Sequence, residues 1–258
     1  MESGARRAVE SREERPVRDA DHHVAGALVA VSLAAQMVPA VVALGQWSPL
    51  RVLPYDLCRW QGPRFPPKAA LTFDDGPHPE GTPAILDRLD ELGVKATFFP
   101  LAQAAERHPD LVTEIARRGH AVGTHGYRHG RHLLHGPRWV FRDLDEAKRV
   151  MAALGHVPTW YRPAYGQASA ATLAAARVKG WRTVLWSAWG REWATSDPVA
   201  VAARIGRRLR PGAIVLLHDS DRFGPQGMWR VARDCLEGIA ERMRLSGLEA
   251  ATLDELVR

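Results

Sequence analysis

Lys68-Ala69-Ala70-Leu71-Thr72-Phe73-Asp74-Asp75-Gly76-Pro77 is the most informative stretch of this 258-residue chain. Residues 69–73 read as an apolar strand, and the strand ends in two adjacent carboxylates and a Gly-Pro turn. Adjacent carboxylates at a strand end are costly if buried without partners, and a cation removes that cost.

Working outward, apolar strands alternate with helical patterns from Lys68 onward. Strands are expected at 69–73, 95–99, 121–123, 160–162, 183–186, 213–217 and 250–253, and helices at 83–92, 111–118, 142–154, 170–179, 198–209 and 229–245. This alternation predicts an α/β fold, a parallel sheet joined by crossover helices. Seven such units suggest a closed or nearly closed barrel, an architecture that gathers functional residues at the C-terminal ends of its strands. The chain length suits one such domain of about 200–250 residues.

The N-terminal quarter reads differently. Residues 1–23 are polar with mixed charge and predict a flexible tail. Residues 24–50 carry no charge, a run long enough for a bilayer span of about 20 residues, although Ser32, Gln36 and Pro39 interrupt it. An N-terminal membrane anchor or uncleaved signal-like segment is expected here, placing the protein in the cell envelope, anchored or exported. The alternative is an amphipathic helix packed on the domain of a cytoplasmic protein. Residues 51–67, with Pro54, Pro63, Pro66 and Pro67, read as a connector to a catalytic domain over 68–258. The formal charge of +6 comes mostly from Arg and can favour anionic polymers or lipids, or merely solvate helix faces. No nucleic-acid-binding signature is present. Cys58 and Cys235 leave open a disulfide or two buried thiols.

Four further polar clusters follow the proposed strands. His125-Gly126-Tyr127-Arg128-His129 offers two imidazoles four residues apart, which with one carboxylate form a two-His, one-carboxylate set for Zn²⁺ or a similar ion. In Tyr161-Arg162-Pro163-Ala164-Tyr165-Gly166, Arg162 can hold a carboxylate in a fixed direction. Trp186-Ser187-Ala188-Trp189-Gly190-Arg191-Glu192-Trp193 is the fourth, and Leu216-Leu217-His218-Asp219 the fifth, with His218 ending an apolar strand. His132 and His135 are expected in an exposed loop, with extra ligands or substrate contacts as the alternative, and 221–229 in a loop near the site mouth. Trp189, Trp193 and Trp229 either face a sugar ring or lipid, or pack the rim.

In this order the five clusters resemble the NodB-type polysaccharide deacetylases, the family-four carbohydrate esterases, over about 68–258. The resemblance implies a distorted (β/α) barrel of about seven strands and a hydrolase removing an N-acetyl or other acyl group from an amino sugar. It implies one divalent ion, Zn or else Co, Ni or Mn, held by Asp75, His125 and His129. Asp74 would be the general base, oriented by Arg162, and His218 the general acid, with Glu192 beside it. The Tyr165 N–H would face the oxyanion and Trp193 would wall the pocket. The partner would be an N-acetylated amino-sugar polymer or a lipid-linked sugar.

The sequence departs from the family pattern at three places. Gly126 stands where Ser or Thr is usual, Ala164 replaces a Pro, and 189–193 lacks the first Asp of its motif and lengthens the second to Glu192. Two alternatives are carried: a metal-free hydrolase of a small amide with the same fold, and a non-catalytic carbohydrate-binding protein of the envelope.

Overall fold

The computed structural model describes residues 58–257; the expected tail, the uncharged 24–50 run and the first part of the connector lie outside the described residues. No helix among the described residues is long and apolar enough to cross a membrane.

Strand β1 (Lys68–Asp74) is the axis of the fold, buried over its last six residues. A strand buried on both faces reads as a near-continuous apolar run, because crossover helices cover the sheet on either side. Along one edge β1 pairs with β7 (Ile214–His218), with Asp74 beside His218. Along the other it pairs with β8 (Glu249–Ala251) through its first half and with β2 (Thr97–Phe99) through its second. Adding β3 (Ala121–Val122) and β6 (Ala188–Trp189) completes a six-stranded sheet, while β4 (Trp160–Tyr161) and β5 (Arg182–Thr183) form a second, two-stranded one. All pairings are parallel, as expected.

The sheets are joined at one side by a bridge between Thr124 and Tyr161. No strand pairing links β5 to β6 among the described residues, so the ring is distorted there. At that edge Arg59 pairs with the segment after β5: its N–H donates to the Thr183 carbonyl at 2.9 Å, and its carbonyl accepts from Leu185 N–H at 2.5 Å. Gly62 N–H then donates to the Gly212 carbonyl at 2.7 Å. Gly212 has φ +83° and no room for a side chain against the Gly62 and Pro63 carbonyls, so this contact requires glycine. The last part of the connector is therefore built into the sheet edge.

The crossover helices are α1 (Gly81–Glu91), α2 (Ala102–Ala105), α3 (Pro109–Arg117), α4 (Pro137–Ala153), α5 (Ala170–Val178) and α6 (Pro198–Gly206). The expected 229–245 helix is two, α7 (Met228–Asp234) and α8 (Leu236–Leu245), meeting at Cys235. Residues expected to end the last strand start α9 (Leu253–Leu256) instead, because Thr252 and Glu255 form a reciprocal capping box. The short β6 was not legible as a strand. Leu71, Phe73, Phe98, Ile85 and Leu236 belong to the main core, with Phe73 and Phe98 stacked at 4.9 Å. Each such fully buried side chain contributes about 1.5–3 kcal/mol. Cys58 and Cys235 are both buried free thiols.

Candidate active site

Asp74 and Asp75 lie where β1 runs out, and their side chains diverge because the backbone turns sharply. Asp75 has φ +76°, a left-handed conformation unusual for a residue with a Cβ. Asp74 faces Arg162, which follows β4 and is wholly buried. One guanidinium nitrogen, Nη1, donates to Asp74 Oδ1 at 2.8 Å and to Thr72 Oγ1 at 2.7 Å, and Nη2 donates to the Leu185 carbonyl at 3.1 Å. The guanidinium lies 4.3 Å from the Phe99 ring centroid. Burial works against the Arg162 charge and lowers its pKa, while Asp74 opposes that. A buried carboxylate oriented this way has one oxygen engaged and the other turned toward the cavity.

Asp75 faces the two imidazoles. Its Oδ1 lies 3.4 Å from His125 Nε2 and 3.3 Å from His129 Nε2. It is buried and has no hydrogen-bond partner among the described residues. Burial pushes the Asp75 carboxyl up to about 7, and it pushes His125 and His129 down to about 3, so both imidazoles are neutral and free to act as ligands. One ligand atom from each residue can be chosen so that all three lie within 4.8 Å of one another. Donor atoms about 2.0–2.2 Å from one ion, at tetrahedral angles, are roughly 3.3–3.6 Å apart. The orphaned carboxylate oxygen, the neutral imidazoles and these spacings fit a divalent cation.

His218 ends β7, the strand beside β1. Its Nδ1 is 2.7 Å from Glu192 Oε1, and its Nε2 is 3.9 Å from Asp75 Oδ2. Burial opposes protonation, but the Glu192 hydrogen bond and charge, with help from Asp75 and Asp74, overcome it and raise the His218 pKa to about 9. Glu192 is itself buried, on the one-turn helix Glu192–Ala194. The Trp193 ring meets His218 edge-on at 5.6 Å. Tyr165 takes φ +58°, and its ring stands 4.3 Å from that of His129.

These groups line one cavity of about 320 Å³, which contains Asp74, Asp75, His125, His129, Tyr165, Trp193 and His218. Arg162 and Glu192 sit behind that surface and reach it through Asp74 and His218. The structure therefore brings every expected site residue to one place. Trp186, Leu216, Phe223 and Met228 complete the lining. Phe223 and Met228 come from the run read as a loop near the mouth, and Phe223 stacks on His129 at 4.2 Å. Of the three tryptophans weighed as ring platforms, only Trp193 lines the cavity; Trp229 is buried, and Trp189 lies under Arg208.

His132 is not in an exposed loop. It is buried beside Thr172 and Tyr161, whereas His135 is exposed and stacks on Trp139 at 3.8 Å. Sequence reading also gave no role to Asp219, a buried carboxylate that accepts the Thr82 hydroxyl at 2.5 Å and so ties α1 to the end of β7. Burial raises its pKa to about 6 although Thr82 opposes this. Its position directly after His218 was the only available signal.

Comparison with known proteins agrees with this geometry. The polysaccharide deacetylase family profile matches residues 61–184. The chain is 30% identical over 213 residues to a peptidoglycan-N-acetylglucosamine deacetylase of Bacillus cereus, covering 82% of this chain and 76% of that one. It is 37% identical over 150 residues to a chitooligosaccharide deacetylase of Rhizobium leguminosarum bv. trifolii, covering 58% and 70%. The crystal structure of a peptidoglycan N-acetylglucosamine deacetylase bound to an N-hydroxybenzamide compound superposes with a TM-score of 0.75 at 30% identity, over 82% of this chain and 97% of the other. With its parallel α/β fold and its carboxylate-histidine cavity, the chain belongs to the polysaccharide deacetylase family.

Proposed function

We propose that the protein hydrolyses the N-acetyl amide of an amino sugar in an envelope polymer, with N-acetylglucosamine units of peptidoglycan type as the first substrate to test. The observation that carries this reading is the register of β1 and β7. It sets Asp74 and His218 side by side on adjacent strands, at the ends where the Asp75, His125 and His129 side chains converge.

Asp75, His125 and His129 would hold one divalent ion, and their nitrogen and oxygen donors suit Zn²⁺. When bound, such an ion supplies Lewis acidity, making water a better nucleophile and a carbonyl a better electrophile. Asp74, fixed by Arg162, accepts a proton from the attacking water. A C–O bond forms at the acetyl carbon and the C–N bond breaks. His218, protonated at neutral pH through Glu192, gives its Nε2 proton to the departing amine, so that acetate and a free amino sugar result. The Tyr165 N–H, presented by a left-handed turn, would face the developing oxyanion. Trp193, against the His218 ring, would limit the acyl group to a small one.

Residues 24–50 would place this domain at the envelope. Acetate release by full-length protein, assayed in membrane and soluble fractions on N-acetylated peptidoglycan and chitooligosaccharides, tests both parts. Turnover in the membrane fraction is expected. No acetate from any N-acetylated sugar polymer, with divalent metal supplied, would overturn the activity; turnover confined to the soluble fraction would overturn the anchor.

A further inference from the structure

Behind the His125–His129 loop lies a buried polar cluster that the chemistry above does not use. Asp143, on α4, is 2% exposed. Its Oδ2 accepts the Tyr127 N–H and its Oδ1 the Arg128 N–H, both at 3.1 Å. The same loop's Gly126 and Tyr127 carbonyls accept the Ala102 and Gln103 N–H groups at 2.9 and 3.3 Å. His132 Nε2 stands 3.7 Å from Asp143 Oδ2, and its Nδ1 is shared with Thr172 Oγ1 at 3.2 Å and the Tyr161 hydroxyl at 3.3 Å. The three residues between His125 and His129 are thus held by helices on both sides.

Gly126 explains why the anchor comes from outside the loop. Its φ is +88°, and a Cβ there would sit 3.1 Å from Asp143 Oδ2. A side chain at 126 would be strained in that conformation and would press on the carboxylate. The hydroxyl residue usual at this place in the family is absent, and a carboxylate from the neighbouring helix meets the loop's backbone instead.

We propose that Asp143 is a positioning residue for the metal site, fixing the loop so that His125 Nε2 and His129 Nε2 converge on Asp75. The proposal rests on the metal reading given above. His125 and His129 are joined by only three residues, so their separation follows the backbone angles of 126–128. Two hydrogen bonds donated by the successive Tyr127 and Arg128 N–H groups to one carboxylate set those angles. Outer partners of ligating residues commonly matter this way, with changes of about 10–100-fold in metal affinity on mutation.

The test is Asp143→Asn in the full chain. Asn keeps the volume but has one acceptor oxygen, so one of the two N–H groups meets an NH₂ instead. Chelator competition should show Zn²⁺ and Co²⁺ bound about 10–100-fold more weakly than by wild type. The visible spectrum of the Co²⁺-loaded protein should also change, while the melting midpoint of the metal-free protein stays near wild type. Wild-type affinity and spectrum in Asp143→Asn would overturn the proposal and leave the metal reading standing. A wild-type protein that binds no metal would overturn both. Should Asp143→Asn fail to fold, amide exchange in metal-free wild type decides: protection at Tyr127 and Arg128 supports the proposal, and free exchange there overturns it.

Discussion

Two walls of one cavity treat the same pair of residue types in opposite ways. On the β1 wall, His125 and His129 face Asp75, and burial drives both imidazoles down to about 3 and the carboxyl up to about 7. On the β7 wall, His218 faces Glu192 and is held up to about 9. Burial works against the charged imidazole on both walls. The difference is contact: Asp75 approaches its imidazoles at 3.3 and 3.4 Å without a well-formed hydrogen bond, whereas Glu192 sits 2.7 Å from His218 Nδ1. A short hydrogen bond to a carboxylate stabilises the imidazolium enough to overcome desolvation, and a loose approach does not. One wall is thereby prepared for a cation and the other for a proton.

The largest effect that can break this comparison is removal of a ligand. His125→Ala or His129→Ala should reduce bound metal from about one equivalent to a small fraction by elemental analysis, and turnover should vanish with it. Full metal occupancy in either variant would show that the β1 wall does not hold the ion. Next in size is His218→Ala. It should lower kcat by about 10²–10⁴-fold while metal content stays at the wild-type level, because it removes the acid and no ligand. Loss of metal in that variant would mean that the two walls are not separable.

The smallest change, Glu192→Gln, sharpens the comparison most. A general acid must be protonated, so activity should fall as pH rises through the His218 pKa, near 9 in wild type. Without the Glu192 charge only burial and the more distant Asp75 and Asp74 remain, and the basic limb of the rate profile should move to lower pH. Metal content should not change. An unmoved limb would assign the tuning of the acid to another group.

The two walls also differed in how far they could be read from the chain. The β1 wall was legible because its parts are local: Asp74 and Asp75 are adjacent, and His125 and His129 fall within five residues. Glu192 and His218 are 26 positions apart, and their contact was expected only through the family resemblance, because it depends on the one-turn helix after β6, a strand too short to carry a periodic signal. His132 was misread because a polar, Gly-flanked stretch looks exposed, whereas Thr172 and Tyr161 from other elements bury it. The single 229–245 helix failed for another reason: helical periodicity continues through the break at Cys235.

What the amino-acid sequence determined by itself was the alternation of strand and helix and the carboxylates and histidines at strand ends. Apolar periodicity and motif spacing are short-range properties, set within a few residues along the chain. Only the tertiary structure decided three further things. The segment around Arg59 closes the edge beside β5, Asp143 reaches the backbone of the histidine loop, and the imidazoles divide into neutral and charged. Each depends on distances and burial between residues far apart in the chain. A hydrogen bond needs its donor and acceptor about 3 Å apart and well aligned, and desolvation depends on everything packed around a group.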